Sequence, residues 1–370
     1  MILKKLLKQR FSRTKLEKKA TCGGNSKYGK HAVHNRHVVA EIHSAAPVRI
    51  CDIGGWTDTW FAGHGAVFNI AVRPCVEVKI SLYPRDKDER VTLHLRNYND
   101  TYSLDPEKIA YDKHPLIEAS IDSMEIPGDI SLEIDIFSEV PSGASVGTSA
   151  AVCVALIRAL DALTPGRLSD HETAVLAHNV ETKKLGLQSG IQDQLCCAYG
   201  GINFIHMHSY PHAVVHPVKT AQKTRSELEK RLSLVYIGTP HNSSDVHEKV
   251  IADLGDDARD HPVIEKLREL AAEARDAVSA GDLDALGRVM NRNTGMQRAL
   301  HPHLVCDAFE EIIEIAGFFD VSGCKVNGAG GDGGSITILG DGDTEKKKKL
   351  LRTLAEKGYQ SIPVFLVERS

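Results

Sequence analysis

Between residues 66 and 83 apolar and polar side chains alternate, with Val76, Val78, Ile80 and Leu82 in step. A period of two marks a strand with one buried face. Residues 91–95 repeat the pattern, and 130–137 do so through Ile130, Leu132, Ile134 and Ile136. Residues 37–53 hold shorter apolar runs, broken at Ala46-Pro47. The period then changes. The Ala/Val/Leu run 149–163 has helical length, and 169–185 predicts a second helix, with Ser169 and Glu172 spaced as a capping box. Strands are expected at 202–207 and 232–237, then helices over 243–253, 262–279, 282–298 and 302–317. A strand at 324–326, a glycine loop at 328–334, a strand at 335–339, a helix at 343–357 and a strand at 361–367 complete the chain. A strand-rich first half before a helix-rich second half predicts an α+β fold in two lobes, with the seam between Gly201 and Leu232.

Composition sharpens this in three ways. At 370 residues the chain exceeds one average domain, and 42% hydrophobic with 25% charged residues excludes a wholly disordered or collagenous chain. No apolar run approaches the ~18 residues of a membrane span, so no stable membrane association is expected. Residues 1–40 carry eleven Lys and Arg against Glu17 alone, whereas the remainder holds 34 basic and 48 acidic residues. An acidic body gives no support for nucleic-acid binding. The basic stretch 1–37 reads as a tail, and three roles stay open for it: a tail without function, a surface-binding helix, or a transit peptide. The eight cysteines show no CxxC pair or zinc spacing, which points to a reducing, cytoplasmic setting.

Three glycine-bearing segments carry the chemistry. Pro141, Ser142, Gly143, Ala144, Ser145, Val146, Gly147, Thr148, Ser149 and Ala150 lie between a strand and a long helix. Tiny side chains let backbone amides approach a ligand, and a helix start adds unpaired N–H groups. Together they suit a phosphate, although a plain tight turn would look similar. The Lys of a Walker loop is missing, so a cation such as Mg²⁺ is the simplest partner for the phosphates. The second segment runs from Arg49 through Gly54, Gly55, Trp56 and Thr57 to Asp58. An Asp beside an aromatic ring suits a polyol, while a glycine turn with an Asx cap is the plainer reading. The third, Lys325 to Gly334, packs five glycines into the seven residues 328–334, as a closing loop or a long hairpin. His241-Asn242-Ser243-Ser244 opens a helix and reads as a cap or an oxygen-binding start.

In this order and spacing the three segments resemble the motifs of the GHMP kinases. Gly54 to Asp58 resembles the sugar-kinase branch, in its fucokinase and heptose 7-phosphate kinase versions. The resemblance covers roughly residues 45–340. It implies a two-lobed fold, with an N-terminal lobe over 38–215 like domain 2 of ribosomal protein S5 and a ferredoxin-like C-terminal lobe over 216–370. It implies ATP and Mg²⁺ as cofactors and transfer of the γ-phosphoryl group to a hydroxyl, the anomeric C1, of a sugar or sugar phosphate such as fucose, galactose or heptose 7-phosphate. On this resemblance Pro141 to Ala150 hold the nucleotide, and Ser149 and Glu181 hold the metal. Asp193, within Gly190-Ile191-Gln192-Asp193-Gln194, takes the hydroxyl proton, with Arg49 as the basic group that favours its ionised form. Gly55, Trp56, Thr57, Asp58, Asp193, Gly330, Gly331 and Asp332 would face the substrate. Plainer readings remain for two of these: Glu181 as an exposed acid pairing with Lys184, and Asp193 as a helix cap. Ser145, Thr148 and Asp332 depart from the usual residues of the motifs. A non-catalytic sugar- or nucleotide-binding protein, and a kinase for a mevalonate- or homoserine-like alcohol, stay open as alternatives.

Overall fold

The computed structural model describes residues 38–85, 89–239, 243–255 and 257–369. The first sheet is assembled from β1 (Ala40–Ile53), β2 (Gly65–Pro84), β3 (Val91–Leu95), β4 (Asp100–Leu104), β5 (Ile130–Ser138), β6 (Ile202–Ser209) and β7 (His212–Pro217). Its order is β4-β3-β5-β2-β6-β7, with β1 also paired to β2 and only β3 and β5 parallel. The break expected at Ala46-Pro47 is a register shift inside a continuous strand: Pro47 pairs with Cys75 and Val48 with Val72. A bulge bends the strand without ending it.

Helix α1 (Pro115–Asp122) precedes β5, and α2 (Thr148–Asp161) follows it. Ala150, Ala151, Cys153, Val154, Ala155, Leu156 and Ile157 of α2 are fully buried. This apolarity on several faces fits α2's position, packed against β1 and β2 with α1, α3 (Asp170–Asn179) and α4 (Gln192–Tyr199) around it. The capping box at the start of α3 forms as expected: Glu172 N donates to Ser169 Oγ at 3.2 Å, and Ser169 N donates to Glu172 Oε2 at 2.8 Å. The helix expected over 169–185 is nevertheless interrupted. It ends at Asn179 and continues as a π-helical turn over Val180–Lys184.

The second sheet has the order β11-β8-β10-β9, all antiparallel. Helix α5 (Gln222–Arg231) leads into β8 (Leu232–Tyr236), and the chain continues through α6 (Ser243–Leu254), α7 (Pro262–Ala280), α8 (Leu283–Leu300) and α9 (Asp307–Gly317). Strands β9 (Gly323–Val326) and β10 (Ser335–Leu339), helix α10 (Thr344–Glu356) and strand β11 (Gln360–Ile362) complete it. The helix expected from 302 begins instead with a 3-10 turn at Pro302–Leu304 before α9. The final strand expected at 361–367 splits: β11 joins the second sheet, whereas β12 (Phe365–Leu366) returns to β2 of the first. The pattern of apolar positions did not indicate α5, where Leu228 alone is buried and no apolar stripe exists. The basic tail 1–37 lies outside the described residues, as do His241 and Asn242.

Helix α8 and strand β9 approach at backbone distance. A Cβ on Gly287 would run into the Ser322 carbonyl, and one on Gly323 would run into the Gly287 carbonyl. Gly287→Ala is expected to lower the unfolding free energy by about 3 kcal/mol, because neither backbone can yield without moving a whole element. An unchanged denaturant midpoint would show that the two can part cheaply.

Candidate active site

A cavity of about 550 Å³ lies beside the first turn of α2, lined by residues around the first sheet and by Gly328 and Ala329 after β9. Asn97, Tyr98, Lys113, His114, Trp56, Asp58 and Gln188 are among its lining residues. Ser142, Gly143, Ala144, Ser145, Val146, Gly147, Thr148 and Ser149 line it. Gly147 occupies the N-cap of α2 with a φ of +73°, and no side chain caps this helix start. Its first-turn N–H groups are therefore available to an anion. Pro141 and Ala150 are not lining residues; Ala150 is fully buried under the loop. Ser145 takes a φ of +55°, left-handed backbone that glycine adopts more easily. Its side chain is accommodated by Gly334 opposite, where a Cβ would come within 2.5 Å of Ser145 Oγ.

Arg49 comes from β1 and Asp193 from the first turn of α4. The guanidinium grips the carboxylate with two bonds, Nε to Oδ1 at 2.8 Å and Nη2 to Oδ2 at 3.0 Å. Nη1 donates to the Ser145 carbonyl, so the same side chain also holds the loop. Burial works against the Arg49 charge, but the Asp193 and Asp52 carboxylates outweigh it and push its pKa up. A Cβ on Gly147 would lie 3.1 Å from Asp193 Oδ2, so a glycine lets the loop rest against this pair. Asp193 is not the helix cap; Ile191 holds that position.

Asp58 is buried and accepts a hydrogen bond from Gln192 N at 3.0 Å. Burial pushes its pKa up to about 6, with the Asp193 charge adding to the shift. A side chain on Gly190 would overlap Asp58 Oδ2, which explains the glycine there. Trp56 lines the cavity beside Asp58 and packs on Phe61, with ring centroids 6.3 Å apart. Gly55 and Thr57 do not line it. The Thr57 hydroxyl instead shares its one proton between Gly54 O at 2.8 Å and Ala66 O at 3.0 Å and accepts from Ala66 N, knotting the turn.

Glu181 sits on the π-helical turn, buried, with Oε2 accepting from Ser189 Oγ at 2.7 Å and Gln194 Nε2 at 2.8 Å. Lys184 does not pair with it; it pairs with Asp122 at 2.5 Å. Glu181 Oε1 has no hydrogen-bond partner although buried, and neither has Thr148 Oγ1. Burial pushes the Glu181 pKa up to about 7, with the Asp193 charge adding to the shift, against the hydrogen bonds from Ser189 and Gln194. An orphaned carboxylate oxygen beside a serine hydroxyl fits a hard divalent cation. No group of three or more His, Cys, Asp or Glu side chains forms a metal cage among the described residues. A Ser–Glu pair suits a Mg²⁺ that keeps water and phosphate ligands.

The third glycine segment contributes less than its composition suggested. Gly328 and Ala329 line the cavity, but Gly330, Gly331 and Asp332 do not. Gly331 N donates to Leu304 O at 3.2 Å, and a Cβ on Gly330 would strike the same carbonyl. These glycines let the loop cross the 302–304 turn, and Asp332 points to solvent. Asp52, which lines the cavity, its ion-pair partner Lys325, and Ser189 and Gln194 around Glu181 were not singled out from sequence. Their partners are distant in the chain or lie in an unremarkable loop.

Residues 116–201 match the model of the GHMP kinases N terminal domain. The matched segment includes the loop before α2, Glu181 and Asp193. The D-glycero-alpha-D-manno-heptose 7-phosphate kinase of Campylobacter jejuni is 26% identical over 231 residues, 62% of this chain and 67% of its own length. The bifunctional fucokinase/GDP-fucose pyrophosphorylase of Arabidopsis thaliana is 27% identical over 338 residues, 86% of this chain but 32% of its own. The crystal structure of a D-glycero-D-manno-heptose 1-phosphate kinase from Bacteroides thetaiotaomicron superposes with a TM-score of 0.69 at 21% identity, over 89% of this chain and 97% of that one. The fold is therefore the α+β fold of the GHMP kinases, and these relatives are kinases, phosphotransferases acting on sugars.

The Glu181 shift gives a stability signature. Its folded pKa of about 7 exceeds the ordinary value of 4.5, so the favourable contribution is complete below 4.5 and disappears as pH rises through 7. Without metal, Glu181→Gln is expected to gain roughly 2–3 kcal/mol over the parent at pH 8 and little at pH 4.5. Equal differences at both pH values would contradict the assignment.

Proposed function

We propose that this chain is an ATP- and Mg²⁺-dependent kinase that transfers the γ-phosphoryl group to the anomeric hydroxyl of a sugar or sugar phosphate. The observation that carries the reading is the Arg49–Asp193 fork set against Gly147 at the start of α2. It puts a carboxylate beside an amide-lined anion cradle, the two parts that phosphoryl transfer to an alcohol requires.

The loop amides from Gly143 to Ser149 bind phosphate oxygens. Ser149 and Glu181 are the residues that would hold Mg²⁺, which neutralises phosphate charge when bound. Asp193 accepts the proton of the attacking hydroxyl, and Arg49 fixes the orientation of that carboxylate. Asp58 hydrogen-bonds a further sugar hydroxyl, and Trp56 supplies an apolar face for the ring. The relatives named for heptose 7-phosphate and fucose support a sugar as acceptor.

The same reading divides the chain near residue 215 into an S5-like and a ferredoxin-like lobe. The strand order β11-β8-β10-β9, formed by a β-α-β-β-α-β succession, supports the second. The seven cysteines among the described residues are free, which supports a reducing, cytoplasmic setting.

Coupled ATP consumption is measured against paired free and phosphorylated sugars, with mevalonate and homoserine as controls. Turnover on a sugar is expected. On that sugar Asp193→Ala is expected to lower kcat by ~10²–10⁴ while leaving KM for ATP near the parent value. Activity surviving within about tenfold would remove Asp193 as the base.

A further inference from the structure

Asp52 ends the stretch of β1 that carries Arg49, and Lys325 lies on β9 of the other sheet. Both side chains are 1% exposed, and Lys325 Nζ lies 3.3 Å from Asp52 Oδ1. Both Asp52 oxygens accept from the Gly328 N–H, at 3.2 and 3.0 Å, and Lys325 Nζ also donates to the Val326 carbonyl. Gly328 in turn abuts the site. A Cβ there would lie 3.0 Å from Ser145 O and 3.2 Å from Arg49 Nη2. Neutral bonds run alongside: Cys51 N to Asn327 Oδ1 at 3.1 Å, and Ser335 Oγ to the Ala144 carbonyl at 2.6 Å.

A buried ion pair loses hydration on both members, and an apolar pair of like volume is often as stable or more so. Burial drags the Lys325 pKa down, which shows that this cost is present. Stability is thus a poor reason for the pair. Position is a better one, since Asp52 also acts electrostatically on Arg49. Without its lysine, Asp52 would compete with Asp193 for the guanidinium.

We propose that Lys325 is a positioning residue. By holding Asp52 on the Gly328 amide, it fixes the Gly328–Ala329 wall against the phosphate-binding loop and leaves Arg49 to Asp193. The kinetic part of this proposal rests on the kinase reading; the structural part does not.

Two variants and one measurement on the unaltered protein test it. Lys325→Met leaves Asp52 buried alone, while Lys325→Met/Asp52→Asn removes both charges and keeps an acceptor for the Gly328 N–H. On the accepted sugar, the single variant is expected to lose at least ~30-fold in kcat with KM for the sugar within about threefold, and the double variant to recover to within about fivefold of the parent. In the unaltered protein without ligand, the Gly328 amide is expected to exchange hydrogen slowly. The proposal is overturned by a folded Lys325→Met whose kcat stays within about threefold, or by a folded double variant no better than the single. A Gly328 amide exchanging at solvent rates overturns it as well, and this result decides the matter if neither variant folds. Absence of turnover on every sugar would defeat the kinase reading, and the exchange measurement would still judge the latch.

Discussion

The two-pronged contact between Arg49 and Asp193 organises the cleft. One guanidinium joins three separate pieces of chain: strand β1, the loop before α2, and the first turn of α4. A fork of this kind fixes direction as well as distance, which a single point charge cannot do. Gly147 then matters because it is small enough to let the helix start reach the pair. Replace the fork by two unlinked groups, and the helix start and the carboxylate would no longer share a fixed geometry.

Around that contact the acids are sorted by environment. Asp193 is gripped by a cation, Asp52 is matched to Lys325, and Asp58 and Glu181 are buried with hydrogen bonds but without a paired cation. Desolvation therefore raises the pKa of the last two, to about 6 and about 7. Such divergence between neighbouring carboxyls is what the proposed division of roles among Asp193, Asp58 and Glu181 requires.

Much of this could be read along the chain because it is local. The alternation through Val76 to Leu82 gave the central strand, the tiny residues 142–149 marked a loop that lines the cavity before α2, and Ser169 with Glu172 gave a helix start that forms as expected. Other parts depend on long-range packing. Glu181 and Lys184 look like a helical ion pair, but the π-helical turn redirects the backbone and Lys184 meets Asp122, which lies 62 residues earlier. The third glycine segment misled because glycine serves close crossing as well as ligand contact; Gly330 and Gly331 pass over Leu304 and never reach the cavity. Asp52 and Lys325 stand 273 positions apart, and no local pattern couples them.

A crystal structure with a non-hydrolysable ATP analogue, Mg²⁺ and the accepted sugar addresses the central claim most directly. The account predicts β- and γ-phosphates on the amides of residues 143–149 and the acceptor hydroxyl within about 3 Å of an Asp193 oxygen still forked by Arg49. A triphosphate bound away from that loop, or a hydroxyl facing a different side chain, would contradict it.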